Sequence, residues 1–472
     1  MLTGTGTAGA YHAGVLQAVQ DAGVKVDIVA GRGIGVAGAM FSAIDGGSYL
    51  WDKRHGWAAS SVARFYAWRW TLRAVAAALA TALGSLLLPL AVLVGALVAY
   101  PVGLILQMTG LRAGGAVASA YARLVETIFR PDALPLYLPR FVTLVLLALL
   151  VVLAVGAVAT ALQARRRRRA RGGRWWQLLG SPLDTSRAAA WFTARLWQVL
   201  RGAASAARPS AADLGRRYSQ LLAENVGQPG FRELIVLVHD LDGRRDLVSA
   251  LLAEPYRGAF FRPRVDEDEG QRQLEAMDLA GPARHQTVDL LSAALSMPVV
   301  TDPHLLGFPP GGAWRGETHR LCDRPESTVR LLEEVANAGA EQVVLVTACA
   351  ESPGPHALEA GRRDARARAG EDLAAMESAS IRDALAFGSG LFQAVFRIRP
   401  THNPLGPFDF RGNYDERSDR WHTLAELVSR GYEDGFRQFV DSVVGASGEW
   451  IDAARAAPGG TREQSPPSAG EI

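Results

Sequence analysis

The sequence predicts an α/β fold: one α/β domain interrupted by a transmembrane helical hairpin. Three observations predict it. Residues 1–50 alternate amphipathic helical patterns with a short apolar strand. Two later runs, "ELIVLVHDL" (233–241) and "EQVVLVTAC" (341–349), are continuously apolar, as strands buried on both faces of a parallel sheet must be. Between these regions lie two long stretches without a charged residue, and roughly 20 apolar residues are what a helix needs to cross ~30 Å of hydrocarbon.

Taken in order, "GVLQAVQDAG" is an amphipathic helix closed by Gly23, "VDIVAG" a short buried strand, and "GVAGAMFSAIDGG" a small-residue helix ending in glycines. They make residues 1–50 the first part of the α/β domain. Residues 51–180 hold the hairpin with its basic flanks, and residues 181–400 resume the domain: mixed-charge helices over 183–225, an acidic loop at 265–270, a charged helix over 359–376. Residues 401–457 read as a helical extension, and the Pro-, Gly- and Ser-rich tail 458–472 as disordered. There is no internal repeat.

Composition sets further bounds. A formal charge of +3 over 472 residues supplies no global field for nucleic acid, and none is expected as a partner. Two cysteines, Cys322 and Cys349, make no disulfide framework. The opening "MLTGTG" lacks the basic and apolar regions of a cleaved signal peptide.

The uncharged runs are residues 74–111 and 141–164, and neither shows the polar face that a core helix keeps. They predict spans at about 83–108 and 141–163, the first kinked by Pro89 and Pro101. Arg64, Arg69 and Arg73 precede the first, and a cluster from Arg165 to Arg174 follows the second, so both outer flanks face the cytoplasm. The connecting loop, 112–139, carries only Arg112, Arg123 and Arg130. Trp68, Trp70, Trp175 and Trp176 stand at interfacial positions, and the Arg165–Arg174 cluster is placed to hold anionic lipid head groups.

The chemistry-bearing motifs are glycine-rich. "GTGTAG" at 4–9 matches the dinucleotide-binding fingerprint, but only Met1 to Thr3 remain for the strand before it, and Asp27 starts the next strand instead of ending it. Its other reading is an oxyanion loop, whose backbone N–H groups at a helix N-terminus hold a negative oxygen: Gly4, Thr5, Gly6, Thr7 and Gly9. The following turn, Gly31-Arg32-Gly33-Ile34-Gly35, has the spacing of a G-x-S-x-G nucleophile elbow with glycine in place of serine.

The whole stretch "GTGTAGAYHAGVLQAVQDAGVKVDIVAGRGIG" resembles the opening of the patatin-like phospholipases. The resemblance extends to "LLSAALSMPVV" at 290–300, which is similar to that family's helix-to-proline segment, and it covers roughly residues 2–50 and 230–350. It implies a three-layer α/β domain, an acyl-ester lipid substrate, no cofactor, a bacterial inner-membrane location for a membrane-inserted member, and a Ser–Asp dyad that uses no histidine. Carried over, Gly33 takes the nucleophile's position and Pro310, before Gly311 and Gly312, takes the aspartate's, with Asp302 a rival. Ala8 replaces the loop's usual basic residue. Glycine has no side chain to attack with, Ser42 lies too far down the helix, and His12 reads as a packing residue.

Three functions follow. The first is a membrane-anchored lipid-binding or scaffolding pseudoenzyme. The second is a lipid hydrolase that activates water with Asp302 or an aspartate of "FDFRGNYDE". The third is a nucleotide-binding membrane protein using "GTGTAG". His319, Cys322 and Asp323 in "THRLCDRPE" are close in sequence, yet without a C-x-x-C pair they give little reason to expect a metal. They and "HNPLGPFDFRGNYDERSDRW" gather His, Arg and Asp that the family pattern does not explain.

Overall fold

The computed structural model describes residues 1–52, 54–110, 113–130, 133–165, 180–262, 271–350 and 364–445. The chain divides into two compact units, Met1–Tyr66 with Thr185–Ile472, and Ala67–Asp184.

The first unit opens with β1 (Leu2–Thr3), α1 (Ala8–Asp21), β2 (Ile28–Arg32) and α2 (Gly35–Ala43). α1 starts well before its amphipathic pattern does, because residues from Ala8 to Val15 are buried all round and leave no polar face to read.

The second unit begins and ends with β3 (Ala67–Trp68) and β4 (Leu183–Asp184), an antiparallel pair. Between them run α3 (Trp70–Met108), α4 (Ala113–Phe129) and α5 (Ala133–Arg165). α4 occupies the expected connecting loop and folds back along α3, with the Tyr121 hydroxyl donating to the Val92 carbonyl at 2.6 Å. Among the described residues, one helical stretch, Leu90–Met108, is long and apolar enough to cross a membrane, with a mean hydropathy of 2.1. The apolar stretch described within α5 is shorter, Thr143–Gly156, so a two-span hairpin is more than the structure shows. Leu97 and Met108 are 76% and 81% exposed, as apolar side chains on a lipid-facing surface would be. Beyond Arg165, the basic cluster to Arg174 with Trp175 and Trp176 lies outside the described residues, as do the acidic stretch 265–270 and the tail 458–472.

The first unit resumes with α6 (Ser186–Arg201), α7 (Ala211–Asn225), β5 (Glu233–Asp240), β6 (Arg245–Leu251), β7 (Ala276–Asp278), α8 (Thr287–Ala294), β8 (His304–Gly307) and β9 (Thr318–Cys322). It continues with α9 (Thr328–Asn337), β10 (Gln342–Thr347), α10 (Ala365–Gly388), β11 (Ala394–Ile398), the hairpin β12 (Asn413–Asp415) and β13 (Arg420–His422), and α11 (Leu424–Gly435). The sheet order is β11-β10-β1-β2-β5-β6-β7, parallel from β11 to β5, with β9 antiparallel to both β5 and β8. The architecture is therefore mixed α/β around a mostly parallel sheet.

Helices cover both faces. Ala30 of β2 packs in one core cluster with Leu331, Leu332 and Val335 of α9. Gly31, the next residue, faces the start of α2: a Cβ there would come within 2.6 Å of the Gly35 carbonyl carbon. Successive strand residues point to opposite faces, so α9 and α2 lie on opposite sides.

Of residues 401–457, expected as a helical extension, the described part to 445 belongs to this unit and includes the β12–β13 hairpin as well as α11. α11 lies along α1, where the buried Tyr11 hydroxyl donates to Asp434 at 3.0 Å. Its N-terminus is closed by the Thr423–Glu426 capping box.

Candidate functional site

β1 sits between β10 and β2, all three parallel, and the chain leaves β1 toward β2 but returns beside it as β10. That reversal of strand order is a topological switch point, where the loops beyond the strand ends splay apart and leave a crevice. A cavity of about 600 Å³ fills it, within the range of small-molecule sites. Its walls are the loop after β1 (Gly4, Thr5, Thr7), the loop after β10 (Ala348–Ala350), α10, and residues 402–416.

One strand over, β2 ends at Arg32 and turns through Gly33 into α2. Gly33 has φ +56°, the left-handed region in which glycine is least strained. The space where a side chain would sit is taken: a Cβ on Gly33 would lie 2.7 Å from Asp323 Oδ2 and closer still to the Gly4 carbonyl oxygen. The Ile34 amide, which in a working elbow would hold the oxyanion, instead donates to that Gly4 carbonyl at 2.9 Å.

Pro310 is not at this turn. It is exposed in the loop between β8 and β9, and Gly316 packs beside it. The carboxylate beside Gly33 is that of Asp323, because β9 runs antiparallel to β5 (His239 opposite Cys322) and so delivers the next residue to the end of β2. Asp302, the rival, is also exposed, in the segment before β8.

Arg32 fills the ground beneath the turn. Its buried guanidinium donates from Nε to Thr328 Oγ1 at 2.7 Å and from Nη1 to both Asp323 carboxylate oxygens at 3.1 Å. Nη2 forms an ion pair with Glu377 Oε2, without hydrogen-bond alignment. Burial works against the guanidinium's charge, but Glu377 and Asp323 outweigh it and hold its pKa above the ordinary value. For Asp323 the balance runs the other way. Burial and the nearby Glu377 exceed the pull of Arg32 and push its carboxyl up to about 6.

Glu377 joins the two regions, since it also lines the cavity. Thr5 Oγ1 and Glu377 Oε1, both buried, have no hydrogen-bond partner among the described residues. Thr7, by contrast, is committed: its amide donates to the Pro407 carbonyl at 3.0 Å and its hydroxyl to Gly406 at 2.9 Å. Gly6 is pressed against the same Pro407 carbonyl, leaving no room for a Cβ, and Gly9 packs under Trp57 inside the first turn of α1.

Asp415, at the cavity's inner wall, is a poor candidate for a water-activating base. Burial pushes its pKa upward, but hydrogen bonds from Ser418 (2.7 Å) and His402 (3.1 Å) prevail and hold it at about 2. An acid so weakly basic takes no proton near neutral pH. His12 donates from Nε2 to the Thr3 carbonyl (2.9 Å), and burial lowers its pKa to about 3. It packs beneath the glycine loop at Gly4 as a neutral imidazole.

His319, Cys322 and Asp323 do not converge. His319 pairs with Asp240 at 2.6 Å and stacks edge-on to Trp314, Cys322 is buried with its thiol pushed up to about 12, and Asp323 turns to Arg32. Among the described residues no group of three or more His, Cys, Asp or Glu is arranged to hold a metal ion.

Sequence reasoning missed Arg32, Asp323 and Glu377 as one constellation. The one available signal was an arginine inside a strand otherwise made of small apolar residues, since a buried guanidinium demands acidic partners. No protein-family model matches the chain, and no curated protein matches it significantly.

Proposed function

We propose that this chain is a membrane-associated protein of patatin-like descent whose hydrolytic centre is closed and which binds a small ligand in the switch-point cavity. The observation that carries the reading is the double occupation of the elbow: the Gly4 carbonyl takes the Ile34 amide, and Gly4 and Asp323 together fill the nucleophile's space. Family descent rests on the order of glycine loop, helix, strand and elbow, and the two apolar runs support a two-span anchor with the α/β unit on the cytoplasmic side. A nucleotide is disfavoured, because no lysine or arginine lines the cavity among the described residues to meet a phosphate.

The test is active-site labelling of membrane preparations. The wild type is expected to take no label from a fluorophosphonate, which needs an activated hydroxyl, and to show no acyl-enzyme burst with a p-nitrophenyl ester. Labelling mapped to any serine would sink the reading. The anchor is checked separately: the full-length chain should stay in the pellet after carbonate extraction.

A further inference from the structure

Arg32, Asp323 and Glu377 form a buried group of one guanidinium and two carboxylates, all at most 3% exposed. Their direct contacts leave one negative charge in excess when all three are ionised. Buried charge without a partner is expensive, and proteins neutralise it by protonation or by a bound counter-charge. The excess is not sealed off. Glu377 lines the cavity, and its Oε1, like Thr5 Oγ1, is buried there without a hydrogen-bond partner among the described residues.

The rest of the cavity has the same sign. Glu371 and Glu416 are exposed at its mouth and Asp415 is buried at its wall, so four carboxylates face it and no lysine or arginine does, among the described residues. Tyr414 adds an aromatic ring to the lining, and Ala8, Leu373 and Leu405 supply apolar surface. A volume of about 600 Å³ is far larger than a bare ion needs and suits an organic molecule.

We propose that the cavity selects an organic cation, a primary-amine-bearing small molecule or lipid head group, whose ammonium bonds Glu377 Oε1 and Thr5 Oγ1. This deepens the ligand-binding reading above and rests on it. An ammonium has three donors and no acceptor, which matches two orphan acceptors and a surplus carboxylate. Binding would supply the counter-charge that the elbow's ion group lacks. It would also lower the proton affinity of that group, so that near pH 6, where Asp323 is half protonated, uptake of the cation releases protons.

The experiment is calorimetric titration of the full-length protein in detergent micelles at pH 6, with three probes of one shape: phenethylamine, phenethyl alcohol and phenylacetate. The amine is expected to bind about tenfold or more tightly than the other two, as a charge-assisted hydrogen bond warrants. Repeating it in buffers of different ionisation enthalpy should show proton release for the amine alone. Ethanolamine and lysophosphatidylethanolamine, titrated in parallel, distinguish a free amine from a lipid head group; whichever binds more tightly names the source. Glu377→Gln should abolish the preference for the amine. If that variant does not fold, Thr5→Val, which keeps the ion group intact, should weaken the amine and leave the alcohol unchanged. Equal binding of the three probes, or a preference for phenylacetate, overturns the proposal while an unlabelled wild type leaves the non-hydrolysing reading standing. Fluorophosphonate labelling would remove that reading instead.

Discussion

The elbow at Gly33 and the cavity one strand away are built from the same loop, yet they are finished in opposite ways. At the elbow the space is filled: Ile34 bonds Gly4, and Arg32 engages Thr328, Asp323 and Glu377 at once. At the cavity Thr5 and Glu377 keep acceptors with nothing to accept from among the described residues. A nucleophile needs open space above a turn and a donor waiting for charge. Here the turn has neither, while the crevice beside it retains both space and unmet charge. The difference teaches that the turn can be filled while the crevice beside it stays open, because the turn belongs to β2 and the crevice to the reversal between β1 and β10.

The comparison is tested most severely at Arg32. Arg32→Ala leaves two carboxylates buried without a partner, and the expected loss is about 3–5 kcal/mol in denaturant unfolding. A loss below ~1 kcal/mol would mean that the elbow is not held by this ion group.

Next comes pH. Asp323 keeps its proton in the folded state up to about 6, against an ordinary 3.8, so between those values the folded chain binds more protons than the unfolded one. Stability from this group therefore falls as pH rises from about 4 to about 6 and levels off above, by something on the order of 2–3 kcal/mol. Unfolding measured across that window should show the slope in the wild type and lack it in Asp323→Asn; equal slopes would place the titration elsewhere.

Gly33→Ala sharpens the steric half of the contrast. It adds a Cβ at positive φ against Gly4 and Asp323. The expected cost is about 1–3 kcal/mol in melting experiments, and a neutral outcome would show that the turn can reopen.

The smallest effect belongs to the cavity. Thr5→Val exchanges an unbonded hydroxyl for a methyl of the same shape, so stability should change by less than ~0.5 kcal/mol. Destabilisation beyond 1 kcal/mol or so would reveal a partner for Oγ1 and erase the distinction between the two regions.

Much of the fold was readable because it is locally encoded. The runs at 233–241 and 341–349 contain β5 and β10, and the strand read over "VDIVAG" (26–31) is β2, Ile28–Arg32. The elbow's glycine could be read because the motif spacing is local too. What was not readable depends on which strand lies beside which. Asp323 reaches Gly33 only through the antiparallel pairing of β9 with β5, and a pattern carried over by sequence order put Pro310 there instead. Glu377 lies one residue beyond the charged helix read over 359–376; its burial against Arg32 is set by the docking of α10, which periodicity does not record. The 402–416 wall of the cavity was noticed for its composition and read as part of a helical extension over 401–457, since its position follows from α11 lying along α1.

That central placement of β1 has a bearing on how the chain is made. Its Met1 amino group donates to the Val344 carbonyl, a partner 343 residues away. At a synthesis rate of roughly 5–20 residues per second, the first strand emerges tens of seconds before β10 exists to pair with it. During that interval the segment with Leu90–Met108 is also produced. The N-terminal glycine loop, α1 and β2 must therefore wait, unpaired on one edge, while the apolar helices leave the ribosome. Closure of the sheet on this edge of β1 therefore waits until β10 has been made, after the whole of Leu90–Met108 has been synthesised.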